Sequence, residues 1–378
     1  MLSRSLARVV ILVAGALSVL AASQQKAPVS SLPSRLTDRE LWQLSTSLSE
    51  PGGYFRSDNL VSNEHTFQYV VPALAKQVTP GGVYLGVAPD QNFTYILATA
   101  PQMAFIVDIR RGNLLQHLLY KALIELSRDR AEFVSRLFSR PRAPSLAPES
   151  TGAALFAAFG LVEASEPLYR QNLAAVTDRL VKYHHFTLSS DDLEQIDAIY
   201  FAFFSDGPEI QYSVGPGFGG RGRGFRFPSY QDLMTATDVE GAPHSYLANE
   251  ANYAKLKDME ERNLIVPVVG DFAGPKALRS VGRYVREHGA AISTFYVSNV
   301  EQYLYQDGIF SDFARNVATL PLTSASTFVR SVSARSGYAG ENLGPDGRAT
   351  ALYPIRAFVR DFQAGRLRTY YDLNALSR

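Results

Sequence analysis

A chain of 378 residues with a formal charge of +1 and no cysteine excludes several functions at once. It has no global field to draw in nucleic acid or an anionic membrane, and neither a disulfide framework nor thiolate chemistry is open to it. Its aromatic set, 22 Phe and 20 Tyr against 1 Trp, is core material with enough Tyr left over to furnish a binding cleft.

The N-terminus reads basic, apolar, small. Arg4 and Arg8 come first, then the run Val9 to Ala22 broken by Gly15 and Ser18, and Ala21-Ala22-Ser23 closes it. That order is a secretory signal peptide with cleavage near Ser23, and the run is short for a membrane span. An uncleaved anchor is the alternative. The chain is therefore expected in the periplasm or outside the cell. Residues 24–36, rich in Ser, Pro and Gln, read as a flexible tether, and 37–378 as a single domain. No later stretch is apolar for long enough to cross a membrane.

Thr37 and Glu40 form a capping box ahead of a helix over 37–50 with the stripe Leu41, Leu44, Leu48. The polar, aromatic loop Tyr54 to Asn59 follows. Ser62-Asn63-Glu64 opens a second helix bearing Phe67, Val70, Val71 and Leu74. Val83 to Val87 is a short apolar strand, Phe93 to Ala98 a short helix, and Met103 to Val107 a second buried strand ending in Asp108-Ile109-Arg110. A long amphipathic helix is expected from Asn113 to about Phe138.

The alternation resumes after position 240: helix Tyr246 to Arg262, strand Leu264 to Val269, helix Pro275 to His288, strand Ala291 to Val297, a helix from Asn299, and a fifth strand over Thr327 to Val332. Strands apolar throughout belong to a parallel sheet covered on both sides. The reading is an α/β, Rossmann-like fold: a mostly parallel sheet with helices on both faces. Residues 140–240 form a helical insertion containing a Gly- and Arg-rich loop from Gly215 to Phe227. A loop and a helix from about Tyr353 to Gln363 end the chain.

In such sheets ligands bind beyond the carboxyl ends of the strands. Three ends carry suitable residues. Gly86-Val87-Ala88-Pro89-Asp90, with Asn92 behind it, offers a glycine for close approach and a helix start. Asp108, with Ile109 and Arg110, places an acid where it can hold two ribose hydroxyls. Gly270-Asp271-Phe272 places a carboxylate within reach of an exocyclic amine. Each has a plainer reading. Gly86 can simply end a strand, Asp108 can pair with Arg110 or Arg111 or cap the next helix, and Asp271 can be a helix cap.

In that order the three ends resemble a class I S-adenosylmethionine-dependent methyltransferase, over about residues 80–112 and 262–335. The resemblance implies S-adenosylmethionine as cofactor, with the methionine part at Gly86–Asp90, the ribose on Asp108 and the adenine side on Asp271. It places the family's fourth motif on Thr294 to Asn299. It also implies N-terminal residues closing over the cofactor, with Asn59, Asn63 or Glu64 beside a ligand. Ordinary helix capping is the alternative for these three. The usual second and third glycines of the first motif are missing, Pro89 stands among them, and the long insertion is foreign to the pattern. The segments GGYFRSDNLVSNE and MAFIVDIRRGNLLQHLLYKALIELS are also similar to a group of uncharacterised exported bacterial proteins.

Glu64 and Tyr296 are the candidate bases. His184-His185 make a poor metal pair because adjacent side chains face apart. Neither GxSxG nor HExxH occurs. The alternative function is a non-catalytic exported protein that keeps the fold and binds a small molecule or a partner. Fractionation of native cells should recover the protein outside the cytosol with an N-terminus near Gln24. Full-length chain in the cytosol would refute export.

Overall fold

The computed structural model describes residues 30–144, 146–212 and 227–377. The expected signal peptide and most of the Gly- and Arg-rich loop lie outside them. Six strands form one sheet in the order β3-β2-β1-β4-β5-β6: β1 Val83–Gly86, β2 Met103–Asp108, β3 Ile265–Val269, β4 Ile292–Ser298, β5 Leu322–Ser333 and β6 Arg348–Pro354. The first five run parallel, and β6 is antiparallel to β5. Every residue of β1, β2 and β3 is buried, as their unbroken apolar sequence requires. The α/β architecture is the expected one.

Pro267 shows how the edge is managed. A proline cannot donate to a ladder, so it belongs on an edge strand, and β3 is one. The helix Asp38–Leu48, opened by the Thr37–Glu40 capping box, covers that edge. From it Ser45 Oγ donates to the Pro267 carbonyl over 2.6 Å.

Four expectations change. Residues 30–36 are no tether: Leu32 and Leu36 are buried, and backbone bonds run from Ser31 N to His288 O and from Leu36 N to Arg262 O. Two leucines on a polar stretch suffice to dock it. Residues 65–70 form turns, and a helix begins at Val71. Ser62 and Glu64 point their side chains inward to Gln91 and β4, so they do not cap that helix. The long helix is two, Arg111–Leu126 and Arg130–Leu137. Asp129 starts the second by accepting from Glu132 N over 2.8 Å, and buried Arg130 then reaches the Leu247 and Ala248 carbonyls. Finally, β6 occupies part of what reads as loop, because Ala349, Thr350 and Ala351 carry little strand signal.

The insertion between β2 and β3 is mostly helical, with helices Gly152–Gly160, Glu166–Thr177, Ser190–Asp206 and Tyr230–Thr235. His184 fastens it to the core. The ring is buried, with Nε2 2.6 Å from Glu125 Oε2 and Nδ1 3.0 Å from Asp38 Oδ1. Among the described residues no helix is long and apolar enough to cross a membrane.

At the other end of the sheet an ion pair with no exposed surface joins β5 to the helix Val300–Gln306. Arg330 Nε donates to both Glu301 oxygens, at 2.9 and 3.0 Å. Its remaining nitrogens reach Leu373 O, Asn374 Oδ1 and Ser377 Oγ, so this one side chain docks the C-terminal helix Tyr370–Ala375. Removing one member leaves an uncompensated buried charge. Glu301→Leu alone should therefore lower unfolding stability by about 3–5 kcal/mol, whereas Glu301→Leu with Arg330→Met should recover most of the loss. Denaturant titration of both variants checks this.

Candidate functional site

The strand order reverses between β1 and β4. The chain builds outward on one side through β2 and β3, then restarts on the other through β4 and β5. The crevice at this switch point is where the topology leaves room for a ligand. A cleft of about 760 Å³, open to solvent, lies there. Val87, Ile109, Phe272, Val300 and Leu304 give it apolar walls, and Asp108, Asp271, Asn59, Ser298 and Asn299 give it polar groups. A side chamber of about 350 Å³ shares Asn59, Ala88, Ser298 and Asn299 with it and extends to Asn63 and Tyr296.

The chain between the first helix and Leu60 crosses the carboxyl edge of the sheet. Glu50 N donates to Val269 O at the end of β3, and Gly53 N to Ile109 O just beyond β2. A Cβ on Gly53 would lie 2.6 Å from the Ile109 side chain, which would have to move aside for any other residue. Arg110 completes the crossing. Its Nη1 donates to the carbonyls of Ser57 and Asp58, while Nε and Nη2 hold the two oxygens of Asp108 at 3.1 and 3.0 Å. The Arg110 backbone N–H adds a further bond to Asp108 Oδ1 at 2.9 Å. Of the readings open for Asp108, pairing with Arg110 is what forms, and Arg111 turns instead to Asp192. Asp108 Oδ1 is fully used, and Oδ2 keeps one acceptor direction.

Gly86 is a correction. A Cβ there would stand 1.9 Å from Asn92 Oδ1 and 2.8 Å from the Tyr84 ring. The glycine makes room for Asn92, not for a ligand. Asn92 is fully buried. Its Nδ2 donates to the carbonyls of Val87, Ala88 and Pro89, and its Oδ1 accepts from Tyr84 Oη over 2.9 Å. It shapes the loop from behind and does not face the cleft. That loop holds Ala88 at φ 65, a left-handed conformation costing about 1–3 kcal/mol for a residue with a Cβ. His117 Nε2 lies 3.0 Å from the Ala88 carbonyl. Burial lowers the His117 ring to about 4, so the ring is neutral and Nε2–H can donate there.

Gly270 likewise answers to packing, because a Cβ would meet the Ala277 methyl at 2.1 Å. Asp271 lines the cleft but caps no helix. Its Oδ1 accepts from Ala273 N over 2.8 Å in a tight turn, and the next helix starts at Ala277. Glu50, unremarked in the sequence, fixes this turn by accepting from Asp271 N at 2.8 Å and Lys276 N at 3.2 Å. Asn59 lines both cavities at φ 48, and its Oδ1 is buried without a hydrogen-bond partner. Asn63 lines only the side chamber. Glu64 is buried behind it, held by Tyr296 and Ser298.

Asp90 also leaves the cleft. It is 2 % exposed and turned away from it, accepting from Tyr246 Oη over 3.1 Å. The structure adds Tyr54, Phe55, Tyr303 and Asp307 to the lining. The first two stand in the aromatic loop visible in the sequence, whereas Tyr303 lies on the helix Val300–Gln306 that follows the motif expected at Thr294 to Asn299. Among the described residues no group of three or more His, Asp or Glu could hold a metal ion.

A family model described as a domain of unknown function, DUF7790, matches residues 59–148 and 226–357. That is more than half of the chain, which therefore belongs to this family. The matched segments hold every sequence-predicted cleft residue from Asn59 to Phe272. No curated protein matches the chain.

Burial pushes the Asp90 carboxyl up to about 7, against the Tyr246 hydrogen bond that favours its charge. The unfolded chain ionises it near the ordinary value of about 4. Between those values the folded state holds the extra proton. Stability from this group is therefore present at acid pH and falls as pH rises to about 7. Asp90→Asn should shrink the difference between melting temperatures at about pH 5 and about pH 8, read by calorimetry.

Proposed function

We propose that this DUF7790 protein is exported and holds an adenosine-type ligand, S-adenosylmethionine, at the carboxyl ends of β1, β2 and β3, on a methyltransferase-like core. The observation that carries the reading is that Asp108 and Asp271, which end adjacent strands, line one open cleft together with the Val87-Ala88 loop.

The groups present suit a nucleoside better than a nucleotide. Asp108 Oδ2 keeps an acceptor direction, and Asn59 Oδ1 is an acceptor with no donor. Ribose hydroxyls and an exocyclic amine supply donors. Arg110 is the cation of the described lining, and its guanidinium already serves Asp108 and two carbonyls. A phosphate would find no free positive charge. S-Adenosylmethionine would bring an electrophilic methyl group. The chain's own part is to bind the nucleoside through Asp108, Asp271 and Asn59, to set it against Phe272 and Ile109, and to orient an acceptor beside it.

Two observations favour the second reading, a non-catalytic exported binding protein. Arg110 occupies most of the acid that the ribose would use, and Gly86 offers no cradle because Asn92 fills it. Titration with S-adenosylhomocysteine by calorimetry tests the pocket. Wild type should bind, and Asp108→Ala should bind at least about tenfold more weakly, a loss of about 1.4 kcal/mol. No heat from wild type, or equal heat from both, rejects the pocket.

A further inference from the structure

A second arrangement at the end of β4 needs no nucleoside. Ser298 closes the strand at φ 50, and the helix Val300–Gln306 begins two residues later. A serine in this left-handed conformation on a strand-to-helix turn lifts its hydroxyl clear of the sheet. Here Ser298 lines the wall shared by the cleft and the side chamber.

Its Oγ donates to Glu64 Oε1 over 2.6 Å. Glu64 is 4 % exposed. Tyr296 Oη donates to the same oxygen over 2.9 Å, and Gln91 Nε2 to Oε2 over 3.0 Å. Gln91 is itself held by Ser62 and Tyr95. The carboxylate is thus fixed in position, and burial pushes its proton affinity up against those three donors. Tyr84 and Tyr95 bear on it from β1 and the following helix, and Arg348 of β6 through space. An oriented base with a raised proton affinity, 2.6 Å from the hydroxyl of a serine whose backbone is strained and which lines a cavity, is the geometry of an activated nucleophile.

We propose that Ser298 is a nucleophile, with Glu64 as its general base, acting on a small ester that enters the open cleft. The aromatic rings of Phe55, Phe272 and Tyr303 along that cleft suit an aryl ester. Ser298 Oγ bonds to the acyl carbon as its proton passes to Glu64 Oε1. Asn59 and Asn299, which line both cavities, are the carboxamides available to the oxyanion. The bond to the leaving alcohol breaks, and that alcohol takes the proton from Glu64. Water then adds to the acyl group as Glu64 takes its proton. The Ser298–acyl bond breaks, the proton returns to Ser298, and a carboxylic acid leaves. The sequence lacks GxSxG, so nothing but the geometry marks this serine.

The test uses the full chain and a fluorophosphonate probe, without any added nucleoside, so failure to bind S-adenosylhomocysteine leaves its outcome untouched. Mass spectrometry should find the probe on Ser298 of the folded protein and not of heat-unfolded protein. Glu64→Gln should slow labelling by at least about 100-fold. Glu64→Asp, which keeps the charge and shortens the reach, should slow it as well and stands in should the glutamine variant not fold. An unlabelled Ser298 in folded wild type, or wild-type rates in a folded Glu64 variant, overturns the proposal.

Discussion

The grip of Arg110 on Asp108 organises the functional end of this molecule. One guanidinium holds a carboxylate at the end of β2 and two carbonyls of the segment lying over it. The ion pair is nearly closed to solvent, with side-chain exposures of 11 % and 6 %. It therefore escapes most of the screening that makes surface pairs weak. Three consequences follow from the one contact. The segment from Glu50 to Leu60 becomes a fixed roof, the acid is left with one acceptor direction, and the cation, its charge already paired, keeps a single N–H on Nη2. Arg110, two positions along from Asp108, neutralises that acid.

The loop after β1 is built on the same principle, with polar groups used by the protein before any ligand arrives. Asn92 spends both ends of its carboxamide on Tyr84 and three loop carbonyls. His117 takes one of those carbonyls from the far side. Ala88 is thereby kept in a conformation it would not choose. Asn59 and Ser298 are held in the same region of backbone space, and all three border the cavities. Strain gathered at one cleft marks a place where the surroundings over-determine the backbone, as functional sites do.

The fold was largely legible because its signals are local. Apolar runs such as Met103–Val107 and Ile265–Val269, flanked by helical periodicity, specify buried parallel strands. What escaped was decided across the molecule. Asp129 ends a periodic helix because Arg130 has carbonyls to satisfy more than a hundred positions away in sequence. The cleft was partly legible for the same reason. Strand ends can be counted, so Val87, Ala88, Asp108, Ile109, Gly270, Asp271 and Phe272 all reach it. The direction of a side chain within a loop cannot be counted. Asp90 and Asn92 turn away, Glu64 sinks behind Ser298, and both glycines answer to neighbouring side chains rather than to a ligand.

The helical insertion sets the order in which the molecule can assemble. Ala104 of β2 pairs with Ile265 of β3, so the sheet cannot reach its edge until the whole insertion has been made. Closing so long a loop is a slow, entropically opposed event, although its cost grows only logarithmically with length. The ends of β2 and β3 supply Asp108 and Asp271 to the cleft. A nascent chain carrying β1 and β2 alone has half a binding site and two unpaired strand flanks, which β4 and β3 later cover. The cleft is therefore a late product of folding, formed only once the chain is free along most of its length.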